Sequence, residues 1–355
     1  MDLPLSPEHG PIRRLSILDQ APIAEGAGGG AALRNTLDLA GLTDRLGFHR
    51  YWLAEHHATP MLASASPEVL IGPVAAATRR IKVGTGGIML PHYSPLKVAE
   101  TFSMLAALYP GRVELGLGRA PGSDRRTAYA LQRDRRQEAP DDFPEQLTEL
   151  LAYLEDRMPA AHPFATLAAT LPGRPEAPEV WLLGSSPQSG VWAAELGLPY
   201  MFADFISPDG AAIARRYRAE FSAGARLTAP MLGVAVSVVC AETDAEAWRL
   251  SASVRMAILL LQRGRLVPVP TPERAAAFLA AEMGSADAKP RGRRLIVGAP
   301  ATVRAAIEDV ARDYGAEEAM IVTITHDHCA RRRSYELVAE AFGLSAGAPA
   351  TAARP

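Results

Sequence analysis

The run Glu55-His56-His57 follows a short apolar stretch, Arg50-Tyr-Trp-Leu-Ala54, and so gathers three proton-transfer side chains at one point of the chain. A β-rich segment ending in a carboxylate and two imidazoles suits general acid–base work at the mouth of a sheet, because imidazole exchanges protons near neutral pH. The competing assignment is one core histidine and one surface histidine with no joint role. A metal fits poorly: His56, His57 and the distant His92 could join Glu55, but neighbours along a strand point to opposite faces, so only one of the adjacent pair easily faces a common site. Three further stretches carry chemistry. Gly84-Thr-Gly-Gly-Ile-Met-Leu-Pro91 has paired glycines, which either let backbone approach a flat ligand or mark a bulge or tight packing. Gly116-Leu-Gly-Arg-Ala-Pro-Gly122 sets Arg119 between small residues, as a phosphate clamp or as half of a surface salt bridge. Leu183-Gly-Ser-Ser-Pro-Gln-Ser189 opens a helix with hydroxyls; capping accounts for Ser185 or Ser186, whereas an anion at the helix N-terminus would also use the arginine.

These groups need a frame, and short apolar runs alternating with helical stretches supply one. Candidate strands are Arg14 to Leu18, Arg50 to Ala54, Lys82 to Leu90, Val113 to Leu117, Val180 to Leu183, Tyr200 to Ala203, Leu232 to Val239 and Ala319 to Thr323. Helical segments lie between them, several with Pro in the first turn, as at Pro67, Pro95, Pro144 and Pro187. Eight strands in 355 residues predict an α/β fold, a (β/α)8 TIM barrel, more than an open sheet. Residues 1–344 then form one domain, with insertion loops near 120–143 and 262–298 acting as lid or association surface, and a frayed tail at 345–355. Neither glycine cluster fits a dinucleotide fingerprint or a P-loop.

Composition narrows the partners. A net charge of −2 gives no basic footprint for nucleic acid, and no apolar run reaches the length of about 18 residues needed to span a membrane. The expected partner is a small molecule. Cys240 and Cys329 are the only cysteines, too few for a disulfide framework, and with no export signal at the start the expected compartment is the cytoplasm.

Together, Glu55-His56-His57, the segment Gly84 to Pro95, Gly111-Arg-Val-Glu-Leu-Gly-Leu-Gly-Arg119, and Ser185 to Pro199 with Trp192-Ala-Ala-Glu-Leu-Gly-Leu-Pro199 resemble the bacterial luciferase-like flavin monooxygenases, from Leu15 to Phe342. Single-chain members, including ones that tailor aromatic polyketides in antibiotic biosynthesis, are the most similar. The resemblance implies a luciferase-like barrel that holds reduced FMN (FMNH2), supplied by a separate flavin reductase, and uses O2 to oxygenate a small organic substrate through a C4a-peroxyflavin. It places Arg119, Ser186 and Ser189 at the cofactor phosphate, Gly86 and Gly87 beside the isoalloxazine with a cis peptide between them, and Glu100 as an acid near the flavin. His56 falls on the catalytic histidine, with Glu55 or His57 setting its tautomer. Gly118 stands where light-emitting members have a cysteine, and Ser185 where luciferase has an acid, departures that bring bioluminescence into question. A homodimer is also implied, with helices such as Pro67 to Thr78 pairing. Two alternatives share the superfamily: a coenzyme F420-dependent hydride transferase, and a flavin-binding partner subunit without catalysis.

Overall fold

A computed structural model of the chain describes residues 12–119, 124–132, 134–136, 141–288 and 291–345. Nine parallel strands run through it: β1 (Arg14–Asp19), β2 (Arg50–Leu53), β3 (Lys82–Met89), β4 (Val113–Gly118), β5 (Glu179–Gly184), β6 (Tyr200–Ala203), β7 (Leu232–Cys240), β8 (Leu295–Gly298) and β9 (Glu318–Val322). The helices are α1 (Gly29–Leu46), α2 (Pro67–Ala77), α3 (Pro95–Leu108), α4 (Arg125–Leu131), α5 (Phe143–Leu154), α6 (Pro187–Glu195), α7 (Ala211–Ala219), α8 (Asp244–Gln262), α9 (Pro272–Met283), α10 (Pro300–Tyr314) and α11 (His328–Ala341). β1 to β6 pair in sequence, β6 pairs with β7, and β7 pairs with β9, which returns to β1. Eight strands therefore close the expected (β/α)8 barrel, and β8 lies outside the ring.

Register locates that ninth strand. On one edge of β7, β6 covers Leu232 to Ala235 and β8 continues along Ser237 to Cys240, while β9 holds the opposite edge. The segment 262–298, expected as a loop, thus contains α9 and β8, and 120–143 contains α4. Residues 120–123, 133 and 137–140 of the first insertion, and 346–355 of the expected tail, lie outside the described residues.

The period-two alternation of strand side chains divides the apolar residues into two layers. Outward-facing Ile17, Tyr51, Leu53, Leu115 and Ile321 join the helices in the larger core. Inward-facing Leu18, Trp52, Trp181, Met201, Ala235 and Met320 fill the barrel itself.

Charges close its N-terminal end. Arg50, at the first position of β2, reaches Glu114 and Glu318 at 2.8 Å each, and Lys82, at the first position of β3, reaches Glu114 at 3.1 Å and Glu179 at 2.6 Å. The indole N–H groups of Trp52 and Trp181 donate to Glu114 and Glu179 at 2.6 and 2.9 Å, and the Ser16 hydroxyl donates to Glu318 at 2.6 Å. The Arg50 guanidinium also stacks 4.3 Å from the Trp181 ring centroid. Burial would strip the proton from Arg50, but Glu114 and Glu318 outweigh it and raise its pKa above the ordinary value.

Removing one member of such a buried set leaves uncompensated charge. Arg50→Leu is expected to lower unfolding stability by about 3–5 kcal/mol in denaturant titrations at neutral pH; a change below about 1 kcal/mol would show that the ion set is not structural.

Candidate functional site

β2 ends at Leu53 because the next residues leave the ladder to meet side chains and loops at the C-terminal end of the barrel. Ala58, with φ of +49°, turns left-handed, a conformation disfavoured for a residue with a Cβ. The His56 N–H meets the Ser64 carbonyl at 2.9 Å as the chain folds back. The adjoining loop after β1 is pinned by buried Asp19, which accepts hydrogen bonds from the Ala21 N–H at 2.7 Å, from Arg331 at 2.6 Å and from the Tyr51 hydroxyl. Burial alone would raise the pKa of Asp19; Arg331 and Tyr51 hold it below the usual carboxylate range.

The three residues of the Glu55-His56-His57 run take different roles. Glu55 is buried and accepts from the Met89 N–H at 2.9 Å, stands 2.7 Å from His57 Nε2, and is hydrogen-bonded to the Tyr93 hydroxyl. The His57 ring meets His92 edge-on with centroids 5.8 Å apart. Glu55 thus orients His57 and not His56, which corrects the expectation that a neighbour in the run fixes the tautomer of His56. His56 Nδ1 is buried with no hydrogen-bond partner. Burial first, and then the nearby His57, pull the His56 pKa down to about 4, so its imidazole is neutral at pH values where an ordinary histidine begins to charge.

Two residues join this cluster without a signal strong enough to single them out. Tyr93 lies just past the end of β3, where barrels place reactive groups; burial, then the charges of Glu55 and Glu68, raise its pKa. Glu68, in the first turn of α2, has a buried Oε2 with no hydrogen-bond partner, and burial followed by repulsion from Glu55 raises its pKa. Its position in a helix reads as an ordinary first-turn acid.

The anion-binding candidates sit around β4 and β5. Arg119 directly follows β4, is exposed, has no carboxylate partner among the described residues, and lies 5.6 Å from the ring centroid of Trp192 on α6. Ser186 caps α6 by accepting from the Ser189 N–H at 3.4 Å. Ser186 is exposed and Ser185 half-buried, at a helix end whose first N–H groups lack intrahelical partners. Ser189 behaves otherwise: its hydroxyl is buried, donating to the Ser186 carbonyl at 2.8 Å and lying 2.9 Å from the Tyr200 hydroxyl. The expected part of Ser189 at a phosphate therefore falls to a hydroxyl already engaged by the fold.

Other expected residues are accounted for by packing. A cis peptide joins Gly86 and Gly87. A Cβ on Gly86 would stand 2.5 Å from Leu18, and one on Gly87 would stand 2.7 Å from both the Gly116 carbonyl and Leu183, so the barrel demands both glycines before any ligand is considered. At Gly118, which is buried, an added Cβ would meet the flexible end of Met89 at 3.1 Å. Glu100 lies along α3 with its side chain 44% exposed and paired with Lys97 at 3.9 Å, on the helical layer and not at the strand ends. Among the described residues no group of three His, Cys, Asp or Glu could hold a metal ion, and no helix is long and apolar enough to cross a membrane.

Comparison with known proteins agrees with this arrangement. The family model described as luciferase-like monooxygenase matches residues 14–318. A luciferase-like monooxygenase of Escherichia coli (strain K12) is 41% identical over 91% of this chain and 95% of its own. The N-acetyl-S-alkylcysteine monooxygenase of Bacillus subtilis (strain 168) is 35% identical over 92% of this chain and 98% of its own. The crystal structure of apo-MsnO8 superposes with a TM-score of 0.83 at 41% identity, covering 94% of this chain and 98% of that one.

The depressed pKa of His56 has a measurable sign. Between the ordinary value near 6.5 and about 4, the unfolded chain takes up a proton that folded His56 refuses, so this residue lowers stability as pH falls through that window and is silent above it. His56→Gln should therefore lose less stability than the native chain between about pH 7 and about pH 4 in denaturant titrations; equal losses would mean that His56 titrates normally.

Proposed function

We propose that this chain, which belongs to the luciferase-like monooxygenase family, binds reduced FMN at the C-terminal end of its barrel and oxygenates a small organic substrate. The observation that carries the reading is Arg119: a guanidinium without a carboxylate partner among the described residues, beside the helix whose capped N-terminus attracts an anion. Arg119, Ser185, Ser186 and the Gln188 N–H at the start of α6 suit a phosphate, and the Gly86–Gly87 backbone lies in the latter half of β3, which pairs with β4. When bound, reduced FMN supplies the electrons and the reactive position at which O2 is activated.

The residues of the chain supply proton control. His56 enters the reaction neutral, and its buried Nδ1, which no protein group satisfies, is available to hydrogen-bond a bound ligand. Glu55 holds His57 and Tyr93 in fixed orientations beside it, and their hydrogen bonds leave the carboxylate little freedom to move. A separate reductase would deliver the reduced cofactor. The N-acetyl-S-alkylcysteine monooxygenase relative supports oxygenation of a small molecule as the class of activity.

A homodimer fits the outer surface. Val69 on α2 and Met104 and Leu108 on α3 are 66%, 53% and 68% exposed, an unusual outlay of apolar area on adjacent helices.

Arg119→Ala should weaken FMN binding by about tenfold to a hundredfold in equilibrium titrations, the loss of a charge-assisted hydrogen-bond set. With a flavin reductase and NADH, the native chain should consume O2 in the presence of an accepted substrate; turnover with reduced deazaflavin and no O2 uptake would overturn the reading. Leu108→Asp should shift the particle towards the mass of one chain in light scattering, and an unchanged mass would remove α3 from the interface.

A further inference from the structure

The approach to β8 carries two adjacent arginines that the fold treats oppositely. In β8, Leu295 and Val297 pack against the barrel-interior cluster and Ile296 against the outer one. Arg294 continues the outer face: its Nε donates to Asp204 Oδ2 at 2.8 Å, and Asp204 also accepts from the Tyr314 hydroxyl of α10 at 2.8 Å. Arg293, one residue earlier and half-buried, takes another partner: its Nη1 donates to the Phe205 carbonyl at 3.3 Å. Phe205 follows the end of β6 and itself packs against the interior cluster.

A guanidinium has five N–H donors, and the Phe205 carbonyl uses one of them. Among the described residues Arg293 has no carboxylate partner. Arg50 and Arg331 are buried too, yet acids restore their charge, whereas only burial acts on Arg293 and it lowers the pKa. A half-buried cation without a counter-ion is costly, and a ligand that brings the counter-ion recovers that cost. The surroundings indicate which anion. Phe205, whose carbonyl this guanidinium holds, and Leu295, two residues along the chain, present apolar surface, which suits a singly charged carboxylate on a hydrocarbon body better than a heavily hydrated polyanion.

We propose that Arg293 receives a carboxylate of the substrate, so that the barrel mouth takes small organic acids with an apolar body. The proposal rests on the reading of the mouth as the oxygenation site. In the ring, β6 stands four strands from β2, so an acid held at Arg293 extends its apolar body across the mouth towards His56. The oxidised atom is then several bonds from the carboxylate.

The test compares octanoate with octanamide, equal in shape and different in charge, by calorimetric titration of the full chain with and without FMN. The native protein should bind octanoate at least about tenfold more tightly than octanamide. Arg293→Gln should bring octanoate down to the octanamide level while affinities for octanamide and FMN stay unchanged, and Arg293→Lys should keep part of the preference. Equal binding of the two probes by the native chain, or a preference that survives in Arg293→Gln, overturns the proposal. A preference that depends on Arg293 in a chain that does not bind FMN would sustain this inference and remove the cofactor reading instead.

Discussion

One buried guanidinium determines which end of this barrel is open for chemistry. Arg50 enters at the first position of β2 and is held by Glu114 from β4 and Glu318 from β9, so a single side chain ties together strands on both sides of its own. Lys82 extends the set to Glu179 on β5, and Trp52 and Trp181 lie over it as the first apolar layer. Each acid is shared by more than one donor, which offsets much of the cost of ions that would be prohibitive alone in a protein interior. The N-terminal end of the barrel is thereby filled. Ligands can approach only from the opposite end, where the strands release their loops.

At that end Glu55 plays the organising part on a smaller scale. It is the acceptor for a backbone N–H from the end of β3, for the Tyr93 hydroxyl and for His57, so a carboxylate with no exposed surface sets three donors in place. None of these contacts is directed to His56. The outcome is an imidazole whose inner nitrogen lacks a partner and whose charge is suppressed by burial and by the adjacent histidine. Adjacent histidines read as a pair in the sequence; in three dimensions they divide into one that Glu55 holds and one whose inner nitrogen is left without a protein partner.

The frame was legible for a physical reason: each ring strand is a hydrophobic run long enough to stand out, and Pro-marked helix starts separate one from the next. β8 escaped because four residues after an arginine-rich approach leave no periodicity to read. α9 was legible in retrospect, since Thr271 caps it, Pro272 occupies its first turn and Gly284 ends it at φ of +74°, but its Ala-rich body lay in a segment read as an insertion. At the site, residue types were readable and partners were not. Nothing in the sequence distinguishes a Ser186 that faces outward from a Ser189 that turns in to Tyr200, or an Arg294 tied to Asp204 from an Arg293 that is not. Those differences arise from which face of an element its neighbours cover.

The glycines of β3 and β4 define how deep a ligand can go. Gly84 and Gly116 have no room for a Cβ because the backbones of the two strands lie against each other, with carbonyls 2.5 and 2.1 Å from where such an atom would stand. Gly86 is closed in by Leu18 and Trp52, and Gly87 by Leu183. Space gained by omitting side chains on this side of the ring is therefore consumed by the protein itself, and it creates no slot within the barrel. On the proposed reading, a flat cofactor and its substrate lie above Leu18, Trp52 and Trp181, where the walls come from loops and from residues outside the eightfold pattern. It follows that the barrel supplies position and the exclusion of water, and that selectivity between substrates resides in the irregular segments, which vary most readily without disturbing the ion set beneath.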